Sequence, residues 1–147
     1  MNSLLIPLFI IFITMEIEYT ARYLKDYLDI RDKRAKKDVD KVINFIRAAE
    51  TPMDMYKYLD IKKYDPGLGG YRIRFGSKPE WRIRFDFIDD PKNPKQKIVQ
   101  VQLVLPREKY EKYAHRSINE SVGDKPFKIV ITEKQLNRLM ELNNTEK

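Results

Sequence analysis

The plainest pattern in this chain has period two. Tyr71, Ile73 and Phe75 alternate with Arg72 and Arg74, and after Gly76-Ser77-Lys78-Pro79 the apolar Trp81, Ile83, Phe85 and Phe87 alternate with Arg82, Arg84 and Asp86. Successive side chains on a strand point to opposite faces. The pattern therefore predicts two strands joined by a short turn, with Ile73, Phe75, Ile83 and Phe85 buried on one face. Arg72, Arg74, Arg82 and Arg84 fall on the other, solvent-exposed face. A third strand is expected from Ile98 to Leu105, with Val99, Val101, Leu103 and Leu105 toward the core and Gln100 and Gln102 on the arginine side. Pro106 ends it.

The rest of the chain supplies one more strand and several helices. Met15 to Tyr19 reads as a first strand with Ile17 and Tyr19 on one face. Thr20 suits the N-cap of a helix from about Ala21 to Ile30, with Tyr23, Leu24, Tyr27 and Leu28 as its apolar stripe. The charged run Arg31 to Lys37 makes the bend into a second helix ending near Ala49. Ala35, Val39, Val42, Ile43 and Ile46 mark its buried side, with Phe45 beside it. Thr51-Pro52 opens a short helical turn to Leu59. Ile61 to Gly70 reads as a loop, and its closing glycines lack the GxxxxGK spacing of a phosphate-binding loop. Asp89 to Lys95 is a polar turn, and Arg107 to Ser117 a short helix or extended tail. After a linker from Ser121 to Pro126, Phe127 to Ile131 can make a strand. Thr132 and Gln135 form a capping box for a helix with Leu136, Leu139, Met140 and Leu142 apolar.

Composition changes this picture in two ways. The chain has no cysteine and a single histidine, His115, so no disulfide framework, thiolate nucleophile or histidine-built metal centre is expected. The formal charge is +7, and between residues 70 and 116 twelve Lys and Arg face six Asp and Glu, so the excess is concentrated on the hairpin and the segments after it. Gathered guanidiniums repel one another, and a bound polyanion would relieve that repulsion. A half-solvated sheet whose wet side is basic accounts for the pattern equally well.

The apolar run Ser3 to Ile13, broken by Pro7, is short for a bilayer-spanning helix and lacks the basic flank of a secretory signal. Three readings compete for residues 1–14: an extension ahead of a true start at Met15, an N-terminal anchor, or an extra buried segment. The first is the working expectation, with a main domain over 15–120 and a strand–helix appendage over 121–147.

The order strand, helix, helix, meander, then a basic segment bearing tyrosines resembles the RelE/HigB-type toxin superfamily of type II toxin–antitoxin systems. The resemblance covers roughly Met15 to Ile118 and is carried by LGGYRIRF, WRIRFDFIDD and PREKYEKYAHRSI. It implies an α+β, RelE-like fold in which an N-terminal strand and two-helix hairpin pack on an antiparallel meander. It also implies a cytoplasmic, cofactor-free mRNA endoribonuclease. Its partners would be mRNA, on the ribosome, and a cognate antitoxin, with no stable membrane association.

Carried over by position, the resemblance implies Arg82, Arg107 and Tyr113 as catalytic residues and Arg72 and Arg74 as RNA or phosphate contacts, with no metal; Arg84 on the same face and Lys78 in the turn are expected to join these contacts. The implied reaction is attack of the ribose 2′-hydroxyl on the adjacent phosphate. It needs charge stabilisation, a base and an acid. Arginine is a poor base, so the base is left open among Lys78, Glu108, Tyr110, Tyr113 and His115. Two alternatives stand beside this: a ParE-like toxin fold that inhibits a protein target, and a non-catalytic RNA-binding accessory protein.

Overall fold

The period-two segments form one sheet and the amphipathic segments flank it. The computed structural model describes residues 15–63, 69–119 and 130–145, without the side chains of 115–119 and 143–145. The apolar run over 1–14, the linker over 121–126, and Gly67 and Leu68 of the glycine cluster lie outside the described residues. The elements are β1 (Glu16–Thr20), α1 (Ala21–Asp29), α2 (Lys33–Ala48), α3 (Pro52–Tyr58), β2 (Asp60–Lys63), β3 (Tyr71–Phe75), β4 (Trp81–Asp90), β5 (Asn93–Pro106), α4 (Arg107–Asn119), β6 (Val130–Thr132) and α5 (Glu133–Thr145). The fold is α+β, with strand order β2-β3-β4-β5-β1-β6.

The sheet is mixed. β2 to β5 form an antiparallel meander, but β1 lies parallel to β5, with Ile17 opposite Val99 and Tyr19 opposite Val101. β6 closes the far edge antiparallel to β1. Two expected loops are shorter than the sequence implied. Asp60–Lys63, expected as a loop from Ile61 on, is an edge strand, because Ile61 pairs opposite Ile73 and packs against the core. The polar turn after β4 shrinks to Pro91 and Lys92, since Asp90 pairs with Asn93.

The helices follow their patterns closely. Thr20 caps α1 by accepting from the Tyr23 N–H, and Asp32 caps α2 by accepting from the Arg34 N–H at 2.8 Å. Ala35, Val39, Val42, Ile43 and Ile46 of α2 are all buried, and Phe45 stays half exposed against Tyr58 with ring centroids 6.0 Å apart. In α1 the stripe narrows: Tyr23 is buried, whereas Leu28 is exposed and Asp26 is buried in its place. α3 begins with a full capping box between Thr51 and Asp54.

The core lies between α1, α2 and one sheet face, joined by Met55 and Leu136. It contains Ile17, Tyr19, Ile73, Ile83, Phe85, Val99, Val101 and Val104. Leu103 and Leu105, expected on this face, are not there. A β-bulge shifts the register between Arg84 and Phe85, so Val101 pairs with Phe85 while Leu103 pairs with Arg84 and Leu105 with Arg82. One extra residue, Gln102, turns the remainder of β5 over. Leu103 is fully buried on the arginine side, the side that carries α4 and its fully buried Tyr110.

The bulge sits where β1 ends. Beyond Val101, β5 would have an unpaired edge, and α1 supplies the missing partners. The Thr20 hydroxyl donates to the Gln102 carbonyl, and the Asp26 carboxylate accepts from the Val104 N–H at 3.3 Å. The C-terminal pair β6–α5 is bound into the same body. Leu136 enters the core, the Tyr19 hydroxyl donates to Glu133 at 3.0 Å, and Arg47 pairs with the same carboxylate. The expected capping box is present, with Gln135 accepting from the Thr132 N–H at 2.9 Å and Thr132 accepting in return. No helix among the described residues is long and apolar enough to cross a membrane.

Candidate nucleic-acid interface

The hairpin register stacks its arginines in two rows across the sheet. One row runs Asp60, Arg74, Arg82 over β2, β3 and β4, and the next runs Lys62, Arg72, Arg84. Like charges directly opposite one another destabilise a strand pair. The two rows meet that problem differently.

In the first row every cation has a carboxylate. Arg74 binds Asp60 at 2.8 Å and approaches Glu80 at 3.7 Å. Arg82 donates to Glu80 at 3.0 Å and lies 3.6 Å from Glu111, which Arg107 holds at 3.2 Å. Asp60, Arg74, Glu80, Arg82, Glu111 and Arg107 thus form a single alternating chain. The Arg82 side chain is only 13% exposed. α4 covers it, because the chain turns back directly after Pro106: the Arg107 N–H donates to the Glu80 carbonyl at 2.9 Å, and Tyr110 lays its ring 5.8 Å from the Arg82 guanidinium. The expectation that all four arginines are solvent-exposed therefore fails for Arg82 and for Arg84. Alternation assigns residues to a face but does not reveal what later covers that face.

Arg84 in the second row is buried and is held by neutral oxygens. Its Nε donates to Gln102 Oε1 at 2.9 Å and its Nη2 to the Gly69 carbonyl at 3.1 Å. Gln102 in turn donates to Gln100 at 3.0 Å and Gln100 to Glu18 at 2.8 Å, so amide dipoles link the buried cation to a carboxylate two strands away. Gly70 is required here: its φ is +76°, and a Cβ would lie 3.2 Å from Arg84 Nη2. Arg72 is half-buried and Lys62 exposed, and among the described residues neither has a carboxylate within ion-pair distance.

Tyr113 lies one helical turn beyond Tyr110 on α4. The Arg22 guanidinium of α1 lies 5.5 Å from its ring centre, and Arg22 is itself held by Asp26 at 2.9 Å. Burial pushes the Tyr113 hydroxyl above its ordinary value of 10.0, against the opposing pull of Arg84 and Arg22. It is therefore protonated near neutral pH and can donate a hydrogen bond or present a ring, but it cannot serve as a ready base. Lys78 sits exposed in the hairpin turn between Arg74 and Glu80, with φ +56°. The side chain of His115 lies outside the described residues.

Of the residues expected to act together, Arg82 and Arg107 are joined through Glu111, and the Tyr113 ring lies beside Arg22. Arg74 is tied to two carboxylates, and Lys78 stands apart at the tip. The sequence reading placed Gln102 on the arginine side, where it holds Arg84, but missed Glu80, Glu111, Arg22, Asp26 and Lys62. Some signals for them were present. Arg22 and Asp26, like Arg107 and Glu111, have the i, i+4 spacing that pairs side chains on a helix, and Lys62 alternates with Ile61 on a strand.

Among the described residues no group of three or more His, Asp or Glu could hold a metal ion. No protein-family model matches the chain, and no curated protein matches its sequence. What fold and surface define is an α+β protein with a mixed six-stranded sheet, one face filled by helices and the other carrying a partly covered arginine array.

Proposed function

We propose that this protein is the toxin of a type II toxin–antitoxin system, a RelE-like endoribonuclease that cleaves mRNA on the ribosome in the cytoplasm. The observation that carries the reading is the clustering of Arg82, Arg107, Tyr110 and Glu111 where α4 folds back over the hairpin. Cleavage by 2′-hydroxyl attack needs cations on the phosphorane, and Arg82 and Arg107 are two guanidiniums sharing one carboxylate. In this reading the scissile phosphate takes the place of Glu111 between them. The displaced Glu111 carboxylate then accepts the 2′-hydroxyl proton, a task the arginines cannot perform. Tyr113 stacks on a base or donates to the leaving 5′-oxygen.

The test is induced expression with mapping of mRNA 5′ ends. The parent should arrest growth and leave cuts in translated mRNA. Arg107→Ala, at an exposed position, should lower cleavage by about a hundredfold through loss of a transition-state donor while changing stability by less than ~0.5 kcal/mol. Glu111→Gln should lower cleavage about as much. Cuts at parental rates in both folded variants would defeat the nuclease reading.

One observation favours a second reading. The carboxylates of the first row neutralise the cations a nuclease would use, as a ParE-like protein-binding surface would tolerate. Growth arrest with no mRNA cuts would select it.

A further inference from the structure

Both arginine rows lie on one sheet face, belong to the same strands and are adjacent in register, so each is a control for the other. The first row is internally neutralised by Asp60, Glu80 and Glu111. The second places Lys62 directly opposite Arg72 and Arg72 directly opposite Arg84, and no carboxylate reaches Lys62 or Arg72 among the described residues. The fold gains nothing from that juxtaposition, since like charges opposite one another cost stability. The row is open at one end, where β2 is the sheet edge, and at the other Arg84 lies opposite Leu103 of β5, on the side that carries α4, whose Tyr113 ring has the Arg22 guanidinium 5.5 Å from its centre.

We infer that single-stranded RNA crosses the sheet along Lys62, Arg72 and Arg84 toward Tyr113, and not along Arg74. Cations in a row follow a phosphodiester backbone, and an aromatic ring at the end of the row receives a base by stacking. Lys62 on the edge strand is the entry contact. Arg84, buried and held by Gln102 and the Gly69 carbonyl, orients the row more than it contacts solvent-borne phosphate. An acidic protein would satisfy the same charges but would leave the ring and its flanking guanidinium without a specific task. The inference rests on the RNA-binding part of the proposed function and not on cleavage.

The experiment is fluorescence anisotropy of a labelled 2′-O-methyl oligoribonucleotide, which cannot undergo 2′-hydroxyl attack, titrated with the full chain over a range of salt. Lys62→Ala and Arg72→Ala should each weaken binding by roughly tenfold. Each should also flatten the slope of log affinity against log salt by about 0.7, the value for one phosphate contact on a single strand. Lys62→Gln and Arg72→Lys provide milder variants, and circular dichroism checks their folding. Arg72→Lys should keep the salt slope. Arg74→Ala, its charge already taken by Asp60 and Glu80, should bind within about twofold of the parent.

Loss at Arg74 equal to that at Arg72, or parental binding by both Lys62→Ala and Arg72→Ala, overturns the path. So does a parent that ignores the oligonucleotide but binds polyglutamate. If the predicted pattern holds while translated mRNA stays uncut, the path stands and the nuclease reading falls. If mRNA is cut but the pattern is absent, the path falls alone.

Discussion

Asp26 offers the sharpest test of how α1 completes the sheet. Its side chain is buried, accepts from the Val104 N–H at 3.3 Å and holds Arg22 at 2.9 Å. Asp26→Ala orphans a buried N–H, a loss of about 1–3 kcal/mol. The partly exposed ion pair adds a few tenths, so the total is about 1–3.5 kcal/mol. Asp26→Asn keeps an acceptor for Val104 at nearly the same volume and removes the charge. Burial raises the Asp26 carboxyl above its ordinary value of 3.8, more than Arg22 and the Val104 N–H lower it. The folded state therefore holds this proton more tightly than the unfolded chain. The associated stability is full below the unfolded pKa and is lost as pH rises through the folded one. Relative to the parent, Asp26→Asn should thus gain as pH rises from about 4 to about 7, and should lie within about 1 kcal/mol at neutrality. Urea unfolding midpoints at both pH values, with m unchanged, measure this. The account fails if Asp26→Ala costs less than about 0.5 kcal/mol, or if the parent gains on Asp26→Asn as pH rises.

The same packing makes two further outcomes testable. A chain ending at residue 120 loses Leu136 from the core and Glu133 from Tyr19 and Arg47; burial of one leucine alone is worth about 1.5–3 kcal/mol, so its thermal midpoint should fall by several degrees, and an unchanged midpoint would show β6–α5 to be a mere appendage. Burial raises Tyr19 and Tyr23 well above 10.0 and pushes Tyr27 up to about 12, with the Asp40 carboxylate adding to the effect. Stability from these phenols is complete below the unfolded pKa near 10 and is lost as pH rises beyond it. Spectrophotometric titration should therefore show ionisation of this stack coinciding with alkaline unfolding, not preceding it.

Period and caps made much of the fold legible. The five buried residues of α2, the Thr20 and Thr51 caps and the Thr132–Gln135 box all depend on neighbours within a few positions, where sequence spacing determines geometry. The errors share one cause, which is contact with distant chain. Leu103 and Leu105 alternate faultlessly with Gln100 and Gln102, yet they point the other way, because β1 stops at Thr20 and β5 bulges there to meet α1. Asp60–Lys63 lacks the apolar content of a strand and becomes one by lying against β3. Asp26 looks like an outward helix position until β5 presents it with an unpaired N–H.

The arginine face shows the same limit more consequentially. Alternation put Arg72, Arg74, Arg82 and Arg84 on one side, and they are on one side. It could not show that Asp60 and Glu80 enter from flanking positions, or that α4 turns back to bring Glu111 and Tyr110 over Arg82. A strand's face is a local property, whereas the net charge of that face depends on every element that covers it. The charge of this face is therefore not spread over four equivalent arginines. Carboxylates meet the cations along the row from Asp60 to Arg82, and among the described residues none reaches Lys62 or Arg72. An anion approaching this sheet meets an attractive field over Lys62 and Arg72. On the path inferred above the second row is therefore the place of capture, since over Arg74 and Arg82 an anion must first displace Asp60, Glu80 or Glu111.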